Sequence, residues 1–252
     1  MSKVTDRLTD QNVINLALQQ FEAEKRKKLP SVVVSLTSQG KVYPETHPLR
    51  AGTIEMRYMT AYDEDILTNS SYMKQGILFD KLLEAIILTP VKVNEIAEVD
   101  KFGLILNARI LAYGADYDVV VKDPKTGNEL KRTINLSNVL KSKPITLQPD
   151  KNGEFVYQVD NSTTLKYKLL INESTTTVSD LLKKIITQIN DTRDPAAIEN
   201  FIRYEFLAMD AKRFRKHIQE VTPDLDLTVE IEGEDGSTFS TGFPIGPELF
   251  WF

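Results

Sequence analysis

No cysteine occurs among the 252 residues. Disulfides, thiolate metal sites and cysteine nucleophiles are therefore excluded, and the composition suits a reducing compartment. Histidine is nearly absent too. His47 precedes Pro48 in a loop, His217 lies in a basic segment, and neither has a partner at metal-ligand spacing. No apolar run approaches the ~20 residues needed to span a bilayer. The segment Met1 to Asp10 is polar and lacks the apolar centre of a secretory signal, so the expected location is cytosolic, with no membrane partner. Basic charge is not in excess. The net charge of -5 argues against nucleic-acid binding by bulk electrostatics. The glycine-rich phosphate loop, the dinucleotide fingerprint and the G-x-S-x-G elbow are all missing. Carboxylates are plentiful, but a two-carboxylate hydrolase depends on their separation in space, which a sequence does not supply. The reading is a protein that is not an enzyme and carries no cofactor.

What is present is ordinary globular material, 41% hydrophobic and 27% charged, enough for a sizeable core. Residues 10–28 form a helix candidate, capped by Asp10, with Val13, Leu16, Ala17 and Phe21 on one face and Lys25 to Lys28 at its end. Residues 29–69 follow as strand, turn, strand and helix start. Val32, Val34 and Leu36 alternate with Val33, Ser35 and Thr37; Gly40-Lys41 turns; Ile54, Met56 and Tyr58 alternate in a second strand. Thr60 and Asp63 have capping-box spacing. Helices are expected over 61–68, 76–88 and 99–113. Asp63, Glu64 and Asp65 are consecutive in a helix, so their side chains diverge and do not build a site. Arg109, among apolar neighbours, calls for a buried partner, and an acid of the helix near Asp63 is a candidate.

Farther on, Asp123-Pro124-Lys125-Thr126-Gly127-Asn128 is turn chemistry between two strand patterns, 117–121 and 130–136. Short strands are expected at 144–147, 154–159 and 164–171. Thr177 and Asp180 cap a helix over 177–190 whose apolar positions are Val178, Leu181, Leu182, Ile185, Ile186 and Ile189. Asp194-Pro195 opens a further helix, and Asp210 begins a third that carries Lys212, Arg213, Arg215, Lys216 and His217. A second hairpin runs from Leu225 to Gly242 around Gly233-Glu234-Asp235-Gly236. The chain closes on Phe250, Trp251 and Phe252, which either plug their own core or insert into a partner. The fold class is α+β: a mixed or antiparallel sheet with packed helices and two ribbon-like hairpins that meet. The domain reading is an N-terminal helical extension over 1–28 and one α+β domain over 29–252.

One stretch has a recognisable wording: Leu29-Pro30-Ser31, Gly40, Tyr43-Pro44, Ile54-Glu55, Arg57, Met59-Thr60, Glu64-Asp65-Ile66-Leu67 and Asn69. It resembles the base plate protein family of T4-like contractile-tailed phages, and the aromatic ending after Pro244-Ile245 is similar to that family as well. The resemblance implies a late, non-enzymatic protein of virus tail assembly. It would act in base plate hub assembly through contacts with tail hub and base plate proteins. Its location would be the host cytoplasm during assembly, or the base plate of the virion tail if it is retained as a structural subunit. In relatives of this kind each hairpin tip carries C-x-x-C-G, and the four thiolates resemble a zinc ribbon. The matching positions here are Asp123, Thr126, Glu232 and Asp235, so thiolate-bound zinc is impossible. Either the oxygens of Asp123, Glu232 and Asp235 hold a hard cation, or the hairpins pair without metal. Phe250, Trp251 and Phe252 are the expected partner-binding residues. A third possibility is a nucleic-acid-binding module built from the ribbon hairpins and the basic helix.

Overall fold

The computed structural model describes residues 29–140, 147–169, 177–242 and 245–251. The helix expected over 10–28, Phe252 and parts of the strands expected at 144–147 and 164–171 lie outside the described residues.

The first hairpin pairs β1 (Ser31–Ser35) with β2 (Thr53–Arg57), antiparallel, from Ser31 opposite Arg57 to Ser35 opposite Thr53. Alternation points Val34, Ile54 and Met56 into the core and leaves Val33 outside. The expected second strand ends at Arg57, and Tyr58 is exposed. The connection between the strands is a long packed loop. Gly40 sits there at φ 77°, and a Cβ on it would run into the Arg50 carbonyl, so only glycine fits. Asp100 holds this loop from across the core: it accepts from the Ser38 amide and hydroxyl, both at 2.7 Å, and from the Tyr43 hydroxyl at 2.6 Å.

Helix α1 (Ala61–Leu67) starts as expected. The Thr60 amide and hydroxyl donate to Asp63 Oδ2 at 2.7 and 2.9 Å. Next comes α2 (Ser70–Gln75), which the apolar pattern did not announce; Asn69 Oδ1 caps it by accepting from Ser71 and Tyr72. Helix α3 (Leu78–Ile86) buries Leu78, Leu82, Leu83 and Ile86, each contributing about 1.5–3 kcal/mol by leaving water. Ile87 to Thr89 then run along the edge of β2, where the Leu88 amide donates to the Glu55 carbonyl at 2.9 Å. Helix α4 (Glu98–Tyr113) crosses the core with Leu104, Ile105, Leu106 and Arg109 all buried.

Strands β3 (Asp116–Lys122) and β4 (Glu129–Asn135) form the second hairpin, followed by the single turn α5 (Leu136–Val139). Strands β5 (Phe155–Gln158), β6 (Thr164–Tyr167) and β7 (Ile186–Ile189) make a three-stranded antiparallel sheet. The helix expected over 177–190 is corrected here. Helix α6 (Val178–Ile185) stops after eight residues, and Ile186 turns extended to lie beside β6. The β-branched Ile185-Ile186-Thr187 suits either state, and pairing with β6 decides it. Helices α7 (Pro195–Tyr204) and α8 (Ala208–Val221) pack Phe201, Phe206 and Phe214 over that sheet, and β8 (Thr228–Glu232) with β9 (Thr238–Gly242) closes the series.

The fold is α+β. Among the described residues the strands divide into four small antiparallel sheets: the two expected hairpins, β3–β4 and β8–β9, and β1–β2 and β5–β6–β7 where a single sheet was expected. A contiguous apolar core nevertheless runs from Val34 through Leu106, Tyr167 and Phe214 to Phe250. No helix among the described residues is long and apolar enough to cross a membrane.

Candidate functional site: the joined hairpins and the C-terminal clasp

The tip of the β3–β4 hairpin folds around Asp123. Its carboxylate is buried and takes three backbone amides: Lys125 and Thr126 on Oδ1 at 2.8 and 3.2 Å, and Glu234 of the other hairpin on Oδ2 at 3.1 Å. A Cβ on Gly233 would stand 2.9 Å from that Oδ2, so the second tip needs glycine to come this close. Around this centre the hairpins exchange polar groups. Lys125 Nζ donates to Asp235 Oδ2 at 2.7 Å and to Ser237 Oγ at 2.9 Å. Asn128 Nδ2 donates to Glu234 Oε2 at 3.0 Å, and the Arg132 guanidinium donates twice to the Glu232 carbonyl, at 2.8 and 3.1 Å. The amides of Lys125 and Glu234, in that order, hold the Asp123 carboxyl below the usual carboxylate range. The Lys125 ammonium does the same for Asp235.

Of the four positions singled out on the tips, Asp123 and Asp235 are therefore engaged with backbone amides and an ammonium. Glu232 is exposed and bonds Arg132 through its carbonyl; Thr126 contributes its amide. Among the described residues no group of three or more histidine, aspartate or glutamate side chains is arranged to hold a metal ion. Lys125, Asn128 and Arg132 join the tips beside Asp123, and sequence reasoning passed over all three. Turn and strand cations have no pattern of their own.

The second junction is a clasp on the C-terminus. Arg109 was expected to pair with an acid of the helix near Asp63; Asp63 itself belongs to Arg57. Arg57 and Asp63 form a bidentate pair at 2.7 and 2.8 Å, both side chains buried. Burial pushes the Asp63 pKa up, but the Arg57 and Thr60 hydrogen bonds outweigh it, and the net shift is downward. Arg109 turns the other way. Its Nε donates to the Leu249 carbonyl at 2.7 Å and its Nη1 to the Gly114 carbonyl at 3.0 Å, between the rings of Tyr113 and Tyr117. Phe250, expected among the partner-binding aromatics, is a core residue: it is 2% exposed, against Phe79 and edge-on to Tyr113. A ring so placed gains its stabilisation from its own chain. Trp251, next to it, is 41% exposed.

A family model described as T4 bacteriophage base plate protein matches residues 30–240. The chain belongs to that family. No curated protein and no solved structure gives a significant match.

In this base plate family member both histidines and Asp100 have structural partners. His47 Nδ1 accepts from the Leu49 amide at 3.2 Å while its ring stacks on Tyr43. His217 shares a hydrogen bond of 2.8 Å with the Tyr167 hydroxyl among Tyr157, Tyr167 and Phe214, and burial holds its pKa down. Asp100 is raised by burial despite the hydrogen bonds it accepts from Tyr43, Ser38 and the Thr37 backbone. On the basic helix α8, Arg213 faces Asp210 at 3.3 Å and Lys216 faces Glu220 at 3.6 Å, which cancels part of its field. A groove of about 720 Å³ between β4 and β8 is lined by Arg132, Ile134, Asn138, Asp226, Ile231 and Glu232. The arrangement as a whole ties residues 110 positions apart into one frame and presents surfaces.

Proposed function

We propose that this protein acts without catalysis in assembly of the phage base plate hub, through contacts with other tail proteins. The observation that carries the reading is how the polar chemistry is used. Asp63, Asp100, Asp123 and Arg109 are all committed to holding loops, hairpin tips and the chain end. That is the economy of a scaffold, in a chain of the base plate family. Trp251 is the expected contact residue of the C-terminal segment, because its neighbour Phe250 is anchored in the core and holds it outward. Retention as a virion subunit is the alternative within the same reading.

The test is affinity capture of the tagged full chain from infected cells, with mass spectrometry of purified particles alongside. Recovery of hub and base plate proteins with the chain missing from particles is expected for an assembly factor; its presence in particles makes it a resident subunit. Capture that returns no tail protein, from a chain also missing from particles, sinks the proposal.

A further inference from the structure

Strands β4 and β8 each have one unpaired edge, and both edges line the groove of about 720 Å³. The hairpin registers fix which backbone groups point into it. The Asp123 amide donates to the Asn128 carbonyl at 2.9 Å, and the Leu136 amide donates to the Ala115 carbonyl at 2.8 Å. Counting by twos between these bonds, Leu130, Arg132 and Ile134 bond across to β3, while Lys131 and Thr133 turn their amides and carbonyls the other way. In the second hairpin the Gly233 amide donates to the Ser237 carbonyl at 2.8 Å. Val229 and Ile231 therefore bond to β9, and the backbone groups of Thr228, Glu230 and Glu232 face out.

Arg132 shows what these edges take. Its guanidinium donates to the Lys131 carbonyl at 3.0 Å on one side and to the Glu232 carbonyl at 2.8 and 3.1 Å on the other. N–H groups thus stand between the two strands, where an added strand would bring its own. Past Arg132 the bridge stops. Among the described residues the amide and carbonyl of Thr133 and of Glu230 have no hydrogen-bond partner. Open edges of this kind are templates for a further strand.

The side chains indicate its chemistry. Asp226, Glu230 and Glu232 line the groove and are exposed, and among the described residues none of the three carboxylates is ion-paired. Arg132 is the one cation among the described residues of the lining, and its guanidinium is turned to carbonyls. On the opposite face of the same strands lie Ile134 and Ile231, both buried, and the half-buried Val229.

We infer that the groove takes an extended segment of another protein, one that alternates apolar residues with Lys or Arg and pairs with β4 and β8 as a strand. With a period of two, one set of its side chains lies along Ile134, Val229 and Ile231, and the other meets Glu230 and Glu232. A second copy of β8 would set carboxylates against carboxylates, and a nucleic acid would meet the same repulsion. The inference deepens the assembly reading and takes from it only that the chain works through protein contacts.

The experiment uses the full chain in infected cells, with a benzophenone-bearing phenylalanine in place of Thr228 at the exposed rim, and maps the light-induced adducts by mass spectrometry. An adduct with a different protein is expected, through a peptide that alternates apolar and basic residues. Thr133→Pro removes an edge amide that β3 does not use, at a position where a strand tolerates proline. The adduct should fall by about tenfold, since a backbone bond is lost and the edge is blocked. Glu230→Lys with Glu232→Lys should lower it by about tenfold or more while the thermal midpoint stays within a few degrees, because neither carboxylate is paired. Should the proline unfold the hairpin, the glutamate pair decides alone. No adduct, an adduct that survives the proline in a folded chain or the glutamate pair, or one formed only with nucleic acid, with another copy of the chain or with a peptide lacking basic residues overturns the inference. If tail proteins are still captured while position 228 gives no adduct, only the groove fails. If the adduct forms with a basic strand of a protein foreign to the tail, the groove stands and the assembly reading falls.

Discussion

The core of residues 31–113 and the hairpin tips both bury carboxylates, and they neutralise them differently. Within residues 31–113, Asp63 takes a guanidinium six positions away and Asp100 takes hydroxyls and an amide from a loop packed on its helix. At the hairpin tips, Asp123 takes backbone amides from its own turn and from a hairpin 111 positions later, close to solvent. The first arrangement is stabilised by dense apolar packing around it. The second has little apolar cover, so hydrogen bonds carry most of the junction. Removing one partner should therefore cost global stability in the first region and local order in the second.

The largest effect is expected for Arg57→Ala. It leaves the buried Asp63 without its cation, and urea denaturation should show a loss of about 3–5 kcal/mol. Replacing both residues, Arg57→Met with Asp63→Leu, should recover most of it; a double variant as unstable as the single one would mean that packing, not charge, dominates. Phe250→Ala should cost a comparable ~3–5 kcal/mol, the usual range for emptying a buried aromatic site. A small loss there would show that the C-terminal clasp is peripheral to the core.

Asp123→Ala should act locally. Amide exchange at Thr126 and Glu234 should speed up by about tenfold or more while core amides of α4 stay protected. Equal acceleration everywhere would erase the distinction between the regions. A pH series sharpens it further. Asp123 and Asp235 have folded pKa values below the unfolded value of ~3.9, so their contribution is complete above that pH and fades as pH falls below it. Asp100 is shifted upward, so its ionisation opposes folding, and protonating it as pH falls relieves that penalty. Tip amides should therefore lose protection below about pH 4 before the loop at Ser38 does. The smallest effect is expected for Trp251→Ala, within about 0.5 kcal/mol in denaturation, while capture of tail proteins should weaken.

Much of the local structure was legible. The Thr60–Asp63 box, the Asp123 to Asn128 turn and the proline start at Asp194-Pro195 all depend on neighbouring residues, and each is where its chemistry predicts. The errors came where a distant partner decided. Ile186 left its helix because β6 offered an edge, and Arg109 reached the Leu249 carbonyl, 140 positions away. Asp123 and Asp235 were singled out on the hairpin tips, yet the groups that meet them across the junction were not. Lys125 and Asn128 look like any turn residues until the second hairpin is beside them.

By itself, the sequence determined the α+β class, the caps and turns, the exclusion of thiolate chemistry and the base plate family resemblance, because these rest on composition and on contacts a few residues long. Only the tertiary structure decided that Phe250 is core while Trp251 faces out, and that two small sheets stand beside the two hairpins in place of a single sheet. Those outcomes depend on burial and on pairing between distant segments. No local pattern encodes which of two adjacent aromatics will meet water.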